Sequence, residues 1–578
     1  MDTSLSVSIG QHSDKGRKEV NQDFHGVRIP LDPLLNTKGI AIALADGIGS
    51  SSVSQIASEF AVMGLLDDYY CTSDAWSVKK SVERVLTATN AWLHSRTRQS
   101  QYRYDKDKGY ICTLSALVIK STTAHVFHVG DSRIYRVLGN ALEQLTADHR
   151  VWVAEGKSYL SRAVGFNPQI EIDHQALPVQ VGDVFLLATD GVFEHVDDAF
   201  MARTVQSNRA DLDGAARAIV EEAYRRGSTD NLTVQIVVID ALPAQAVNEL
   251  QQKISGLALP PILEPRQHFD GYQIVREVHG SSRSHVYLAV DDETRESVIL
   301  KTPSLDLRAN PAYLERFLME EWVARRINSA HVLKPCLQTR ERKFLYVATE
   351  YIEGQTLAQW LIDHPKPSLE TVRGIVEQIA RGLQAFHRLE MLHQDLRPNN
   401  IMIDGTGTVK IIDFGATRVA GMAEMSATGD PGDILGTPQY TAPEYFLGER
   451  GTERSDLFSL AVITYQMLSG RLPYGAEVAK AKTLSAQRKL HYASVLDAER
   501  EIPAWIDAVL ERAVHPSPLR RYEALSEFVQ DLRRPNQAFL SRTRAPLAER
   551  HPVRFWKGVS AVLAVIVVVL LFARFGLK

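Results

Sequence analysis

The sequence predicts an α+β chain of two folded units that ends in a single apolar helix, and three observations carry that expectation. The first is a set of short, β-branched apolar runs before residue 242: GIAIALADG, CTLSALVIK, AHVFHVGDSR, DVFLLATDG and LTVQIVVID. The second is a change of pattern after residue 268, where short strands (YQIVREV, HVYLAV, SVILK, FLYVATEY) give way to helices from 371 onward. The third is the stretch from Gly558 to Ala573, GVSAVLAVIVVVLLFA, which is apolar throughout apart from Ser560.

At 578 residues the chain is too long for one hydrophobic core. Its 45% hydrophobic and 23% charged content is that of ordinary folded protein. A net charge of -4 argues against a broad nucleic-acid surface, which would need an excess of Lys and Arg. Cys71, Cys112 and Cys336 form no CxxC pair. Their scatter excludes a disulfide framework or a Cys-built zinc site and suits a reducing cytosol. The N-terminus, MDTSLSVSIGQHSDKGRKEV, has no charged start followed by an apolar run and so does not resemble a secretory signal.

In the first unit, expected over 1–242, the apolar runs have strand length and often end in Asp-Gly or Gly-Asp. Between them, 53–70 and 78–94 place Ile56, Phe60 and Met63, then Val78, Val82 and Val85, at helical spacing. Strands in bulk with helices between them predict a sheet sandwich covered by helices. The segment 243–268, with Pro260, Pro261 and Pro265, has the composition of an interdomain linker. The second unit, over 269–534, predicts a small strand-rich lobe and a larger helical one. A basic stretch at 535–554, carrying Pro535, Pro546 and Pro552, joins it to the apolar helix expected over 555–577.

Sixteen residues fall short of the ~20 needed to span a bilayer, but Lys557 and Arg574 can snorkel and add about a turn at each end. Arg542, Arg544, Arg550, Arg554 and Lys557 precede the stretch and only Arg574 and Lys578 follow it, which places both folded units in the cytoplasm. The location expected is therefore a membrane, the bacterial inner membrane, with a C-terminal anchor in contact with lipid.

Asp46, Asp190 and Asp230 stand at strand ends in LADGIG, ATDGVF and STDNLT. Carboxylates emerging where buried strands end can converge on one hard divalent cation. Any one Asp-Gly alone is more often a turn. The ordered series SDKGRKEVNQD, ALADGIG, VGDSRIYRV, LTADH, LSRAVG, LLATDGV and GSTDNLTV is more specific, and over about 5–240 it resembles the PPM-type metal-dependent Ser/Thr phosphatases, a β-sandwich flanked by helices. The resemblance implies a pair of Mn²⁺ or Mg²⁺ ions bridged by Asp46. The Gly47 carbonyl, Asp190 and Asp230 would be further ligands, and Asp131 would help hold a weaker third ion. It also implies attack on phosphorus by a water activated on the metal pair, without a covalent phosphoenzyme.

Two positions depart from that pattern. Gln22 stands where the family has Glu, and Lys18, with Arg17 adjacent, stands where the family has a phosphate-contacting Arg. Lys supplies charge without a bidentate fork. Only VWVAEGKSY separates the LTADHR and LSRAVG motifs, so the family's flap segment is nearly absent.

In the second unit, Lys301 ends SVILK and Glu320 lies in RFLMEEWVARRI. His393 to Asn400 contain D-x-x-x-x-N, Asp413-Phe414-Gly415 follow, and Ala442-Pro443-Glu444 close GTPQYTAPE. In this order and spacing they resemble the eukaryotic-like Ser/Thr protein kinases, a bilobal fold, over about 270–534. The resemblance implies ATP held through Lys301, itself paired with Glu320, and Mg²⁺ held by Asn400 and Asp413. Asp395 would orient the substrate hydroxyl, with Arg397 beside the transferring phosphate. Thr437 matches a substrate-selecting residue, while Asp456 and Arg521 match buried scaffold positions.

Here too there are departures. His279, Ser281 and Ser284 occupy glycine-rich-loop positions, leaving Gly280 alone, and Gln394 replaces an Arg that in many relatives pairs with a loop phosphate. The expected function is a membrane-anchored enzyme that writes and erases phosphate on Ser/Thr. Its expected partners are ATP, protein substrates and its own activation segment, which carries Thr417, Ser426, Thr428 and Thr437. One alternative is an active phosphatase whose kinase-like domain only senses nucleotide or docks; another is an inactive membrane scaffold.

Overall fold

Alternation along β3 (Ile40–Ala45) sets the layering of the N-terminal unit in the computed structural model, which describes residues 4–154, 157–243, 257–281, 284–304, 306, 310–336, 340, 342–423, 437–496, 501–536, 556–557 and 559–566. Successive side chains of a strand face opposite ways. Ile40, Ile42 and Leu44 join Phe185, Leu187, Val237 and Ile239 in a core between two sheets. Ala41, Ala43 and Ala45 face the other way, onto Ala57, Val62 and Leu65 of α2 (Ser54–Cys71) and Val82 and Leu86 of α3 (Val78–Gln99). The small alanines let both helices lie close to the sheet.

One sheet has the order β1 (Ser6–Asp14), β12 (Leu232–Ala241), β11 (Val184–Ala188), β6 (Arg133–Leu138), β7 (Ala141–Gln144). The other has the order β10 (Asp173–Pro178), β5 (Thr123–Val129), β4 (Leu114–Lys120), β3, β2 (Phe24–Arg28). Every pairing is antiparallel. The ends of β3 and β11 and the starts of β2 and β12 therefore meet at one rim. The predicted helix over 53–70 is α2, but its expected stripe is not the buried one: Ile56 and Met63 are 47% and 46% exposed. Ala57, Ala61 and Leu65 face the sheet instead, and Phe60 lies on Trp92 with ring centroids 3.9 Å apart. The period of the helix was legible, but its face was chosen by the alanine layer of β3.

The second unit opens with the sheet β13 (His268–Phe269), β14 (Tyr272–Gly280), β15 (Ser284–Asp291), β16 (Ser297–Pro303) and β17 (Val347–Glu350), in that spatial order. The helix Pro311–Arg326 lies beside it. The larger lobe is built on the helices Leu369–Arg388, Glu453–Ser469, Ala504–Ala513 and Leu525–Arg533. Glu453–Ser469 carries apolar side chains on all sides and is buried accordingly.

The expected linker divides into two parts. Residues 244–256 lie outside the described residues, whereas 257–268 pack on the small lobe, with Ala258 bridging to Phe344 and Leu263 in the lobe's core. No helix among the described residues is long and apolar enough to cross a membrane. Of the span expected over 555–577, only 556–557 and 559–566 are described, and most of 535–554 lies outside the described residues.

Candidate active sites

At the rim of the sandwich the strand ends deliver Asp23, Asp46, Asp131, Asp190 and Asp230. Asp46 is pinned by its backbone: its N–H donates to Thr113 Oγ1 at 3.0 Å, and its carbonyl accepts from the Thr113 N–H at 2.8 Å. Gly47 follows where the chain presses on α2, and a Cβ there would sit 2.8 Å from that of Ser54. Asp23 Oδ2 accepts from Thr189 Oγ1 (3.0 Å) and Thr233 Oγ1 (2.7 Å), while its Oδ1 is buried without a hydrogen-bond partner.

Crowding perturbs the carboxyls of Asp23, Asp46 and Asp190. Burial pushes Asp23 up to about 6. Burial, then the charges of Asp23 and Asp190, hold Asp46 well above the carboxylate range. Asp190 is pushed up to about 7 by burial and by Asp131 and Asp230.

Among the described residues, Arg150 and Lys18 bring positive charge into the cluster. Arg150 donates to Asp131 Oδ2 (2.5 Å), Asp190 Oδ2 (2.7 Å) and Glu194 Oε1 (2.5 Å). Lys18 Nζ stands 3.0 Å from Asp230 Oδ1. Arg17, by contrast, lies over the Tyr224 ring, 5.3 Å from its centroid. Among the described residues no three carboxylate, imidazole or thiol groups surround one point as an ion requires. The donor chemistry nevertheless fits a hard divalent cation: only oxygens, mutually repelling, one of them an orphaned buried carboxylate atom. Lys18 and Arg150 now hold part of that charge. Sequence reasoning singled out neither Asp23 nor Arg150 as a site residue. Asp23 closes the first motif, and Arg150 begins the short hairpin β8 (Arg150–Ala154) and β9 (Lys157–Leu160) that replaces the flap.

In the second unit, β16 carries Lys301 to within 2.7 Å of Glu320 Oε2 on the helix Pro311–Arg326, and 3.3 Å from Asp413 Oδ1. Burial works against the Lys301 ammonium, but the charges of Glu320 and Asp413 outweigh it and keep the side chain protonated. The same ammonium, ahead of burial, draws the Asp413 carboxyl below its ordinary range.

Asp395 Oδ1 accepts from the Thr437 N–H at 2.9 Å, and Asn400 Nδ2 donates to the Asp395 carbonyl (2.9 Å) and to its Oδ2 (3.2 Å). Arg397 Nε lies 3.8 Å from Asp395 Oδ2. The loop itself is held from beneath, because buried Asp456 accepts from the N–H groups of His393 (3.0 Å) and Gln394 (3.1 Å) and from His387 Nε2 (2.9 Å). Glu444 and Arg521 form a buried pair at 2.7 Å. Gln394 Nε2 donates to the Tyr445 hydroxyl at 3.3 Å. Thr417 is buried with an unpartnered hydroxyl, whereas Ser426 and Thr428 lie outside the described residues. The altered glycine-rich segment closes a short hairpin, in which the Ser281 N–H donates to the Ser284 carbonyl at 3.0 Å.

Residues 272–536 match the protein kinase domain family and residues 11–235 match protein phosphatase 2C. Serine/threonine-protein kinase PrkC of Bacillus subtilis is 28% identical over 269 residues, 45% of this chain and 40% of that protein. Serine/threonine-protein kinases drp72 of Corynebacterium efficiens is 30% identical over 253 residues, 42% of this chain and 46% of that protein. The chain thus spans less than half the length of these curated relatives. Among solved structures, the S. agalactiae serine/threonine phosphatase aligns at 26% identity and a TM-score of 0.36, covering 41% of this chain and all of that one. The Mycobacterium tuberculosis PknI kinase domain aligns at 25% identity and a TM-score of 0.37, covering 47% of this chain and 99% of that one. The chain is a PP2C-like phosphatase domain fused to a Ser/Thr protein kinase domain.

Proposed function

We propose that the chain both transfers phosphate from ATP to Ser/Thr hydroxyls of proteins and hydrolyses such phosphate, from the cytoplasmic face of a membrane. The observation that carries the kinase half is the Lys301–Glu320 contact at 2.7 Å with Asp413 alongside. A module that only docks or senses nucleotide has no need of the catalytic aspartate Asp395 held ready between Thr437 and Asn400. Lys301 would bind the α/β-phosphates, Asn400 and Asp413 would hold Mg²⁺, and Asp395 would orient and accept the proton of the substrate hydroxyl, with Arg397 near the transferring phosphate.

In the phosphatase domain Asp46, the Gly47 carbonyl, Asp190 and Asp230 would hold Mn²⁺ or Mg²⁺, with Asp131 at a weaker third position. When bound, these ions would supply charge neutralisation and activation of water. Lys18 would meet the substrate phosphate on leaving Asp230, and Arg17, now over Tyr224, would assist as a mobile charge.

The test of the pairing is the chain's own phosphate content. Asp190→Asn protein incubated with ATP is expected to carry more phosphate than wild type by intact mass. Equal content in the two would show that the phosphatase does not act on the kinase's products in the same chain.

The apolar run from Gly558 to Ala573 and the basic residues before it support a C-terminal anchor in lipid. The intact 578-residue chain is expected to sediment with membranes and resist a salt wash, and truncation before Pro552 to release it. Recovery of the intact chain as a soluble monomer would remove the anchor from the proposal.

A further inference from the structure

Among the described residues the two domains meet chiefly at the turn between α2 and α3, with Lys80 of α3 and Lys120 of β4 beside it. Buried Lys38 shapes that turn, donating to Thr72 Oγ1 and the Ser73 carbonyl, each at 2.7 Å. Beyond it, consecutive residues reach three different pieces of the kinase domain. The Asp74 carboxylate takes Arg326 in a two-pronged ion pair, Nη2 to Oδ2 at 2.7 Å and Nε to Oδ1 at 3.2 Å. Arg326 is the last residue of the helix that carries Glu320, and its guanidinium also lies on the Trp322 ring, 3.7 Å from the centroid. Burial works against the Asp74 charge, but the hydrogen bond and charge of Arg326 outweigh it and leave the carboxyl below its ordinary range.

Trp76 Nε1 donates to the Arg388 carbonyl at 2.9 Å, and the Ser77 N–H and Oγ donate to Glu390 Oε2 at 2.7 and 2.8 Å. Arg388 and Glu390 form the turn just before the strand Met391–Leu392, which leads into Asp395. Ala75 is wholly buried in the core of the larger lobe, and its carbonyl accepts from the Gly421 N–H at 3.0 Å. Lys120, buried at the end of β4, donates to the Gly421 carbonyl at 2.7 Å. Gly421 lies eight residues past Asp413 and touches the turn so closely that a Cβ would sit 2.5 Å from the Asp74 carbonyl oxygen and 2.8 Å from that of Trp76. The Glu320-bearing helix, the approach to Asp395 and the start of the activation segment are thus all tied to one face of the phosphatase domain.

A protein kinase is competent only when its Lys–Glu ion pair and the aspartate before Phe-Gly are in place together, and both depend on elements that move. Resting on the kinase reading above, we infer that the Thr72–Ser77 turn and Lys120 are a docking surface for the kinase domain of the same chain, and that this docking holds the kinase domain in its competent arrangement. The phosphatase domain would then be a fixed activating subunit of its own kinase, independently of what it hydrolyses.

The test uses the intact chain with Asp74→Arg, Arg326→Asp and the double exchange. Each single variant is expected to lower ATP-dependent autophosphorylation by about 10- to 100-fold, the range of ordinary coupling between sites. The double exchange should recover to within about threefold of wild type, because it restores the pair. Hydrolysis of p-nitrophenyl phosphate should stay at the wild-type rate in all three. Gly421→Val, which drives a side chain into the turn, should reproduce the single-variant loss.

Amide hydrogen exchange reports the contact without relying on catalysis. The Gly421 and Ser77 N–H groups should be protected in wild type and exchange faster in the single variants. Unchanged protection in both variants would overturn the docking, and lost protection with wild-type phosphorylation would overturn its control of the kinase. If wild type transfers no phosphate at all, the kinase reading fails, and the exchange data alone decide the docking.

Discussion

Asp395→Ala is expected to cut phosphate transfer from labelled ATP by about 10²- to 10⁴-fold, the usual worth of a positioned acid–base group. Hydrolysis in the phosphatase domain should be left intact. The carboxylate is the part that matters, because the surrounding loop does not rest on it. Asp456 holds the His393 and Gln394 backbone from below, and Asn400 keeps its bond to the residue 395 carbonyl when the side chain is gone. What disappears is the oxygen that Thr437 and Asn400 orient, and with it the acceptor for the substrate hydroxyl's proton. Loss of fold is separated from loss of chemistry by the melting temperature, which should change little. Autophosphorylation of the variant at the wild-type rate would show the assignment to be wrong.

Asp46→Asn is expected to lower phosphatase turnover by more than about 100-fold, since even the loss of an outer partner of a metal ligand commonly costs about 10- to 100-fold. Chelation of wild type should have the same effect and Mn²⁺ should reverse it. The amide is nearly isosteric and keeps the backbone bonds to Thr113, so charge is the variable being tested.

The same crowding sets a pH dependence whose sign is fixed. Asp190 at about 7 and Asp23 at about 6 lie above the unfolded carboxylate value, so without divalent cation the folded state binds more protons than the unfolded one between about pH 4 and 7. Metal-free protein should therefore lose stability as pH rises through that window. Cation binding needs the deprotonated carboxylates, so its affinity should rise over the same range, by about tenfold per unit for each proton displaced. Calorimetric titration with Mn²⁺ at pH 6 and pH 8 measures this. An affinity that does not vary with pH, or turnover that survives chelation, would separate the carboxylate cluster from the chemistry.

Both folds were legible in the sequence because their signals are local and ordered. The alternation of alanine with Ile40, Ile42 and Leu44 in β3 shows in six consecutive letters, and Lys301, Asp395, Asn400 and Asp413 sit in ordered motifs that resemble those of the protein kinases. What stayed hidden depends on partners distant in the chain. Ile56 and Met63 have the right spacing for a buried stripe, but which stripe of α2 is buried is decided by three alanines on another element. Arg150 is an unremarkable letter after LTADH, and its partners Asp131 and Asp190 lie on other stretches of the chain. The packing of 257–268 on the small lobe was masked by its prolines, which suit a linker equally well.

Gln22 uses its amide nitrogen in a way that a glutamate could not. Its amide nitrogen donates to the Ser51 carbonyl at 2.6 Å and to Ser54 Oγ at 2.8 Å. A glutamate there has no proton to offer at neutral pH, so its oxygen would face the Ser51 carbonyl lone pair to lone pair. The Ser54 hydroxyl could rotate to donate, but it already serves the same carbonyl at 3.0 Å. A glutamate at this position would leave the Ser51 carbonyl without its donor from residue 22. Gln22 thus ties the start of β2 to the head of α2 through an amide donor that a carboxylate lacks.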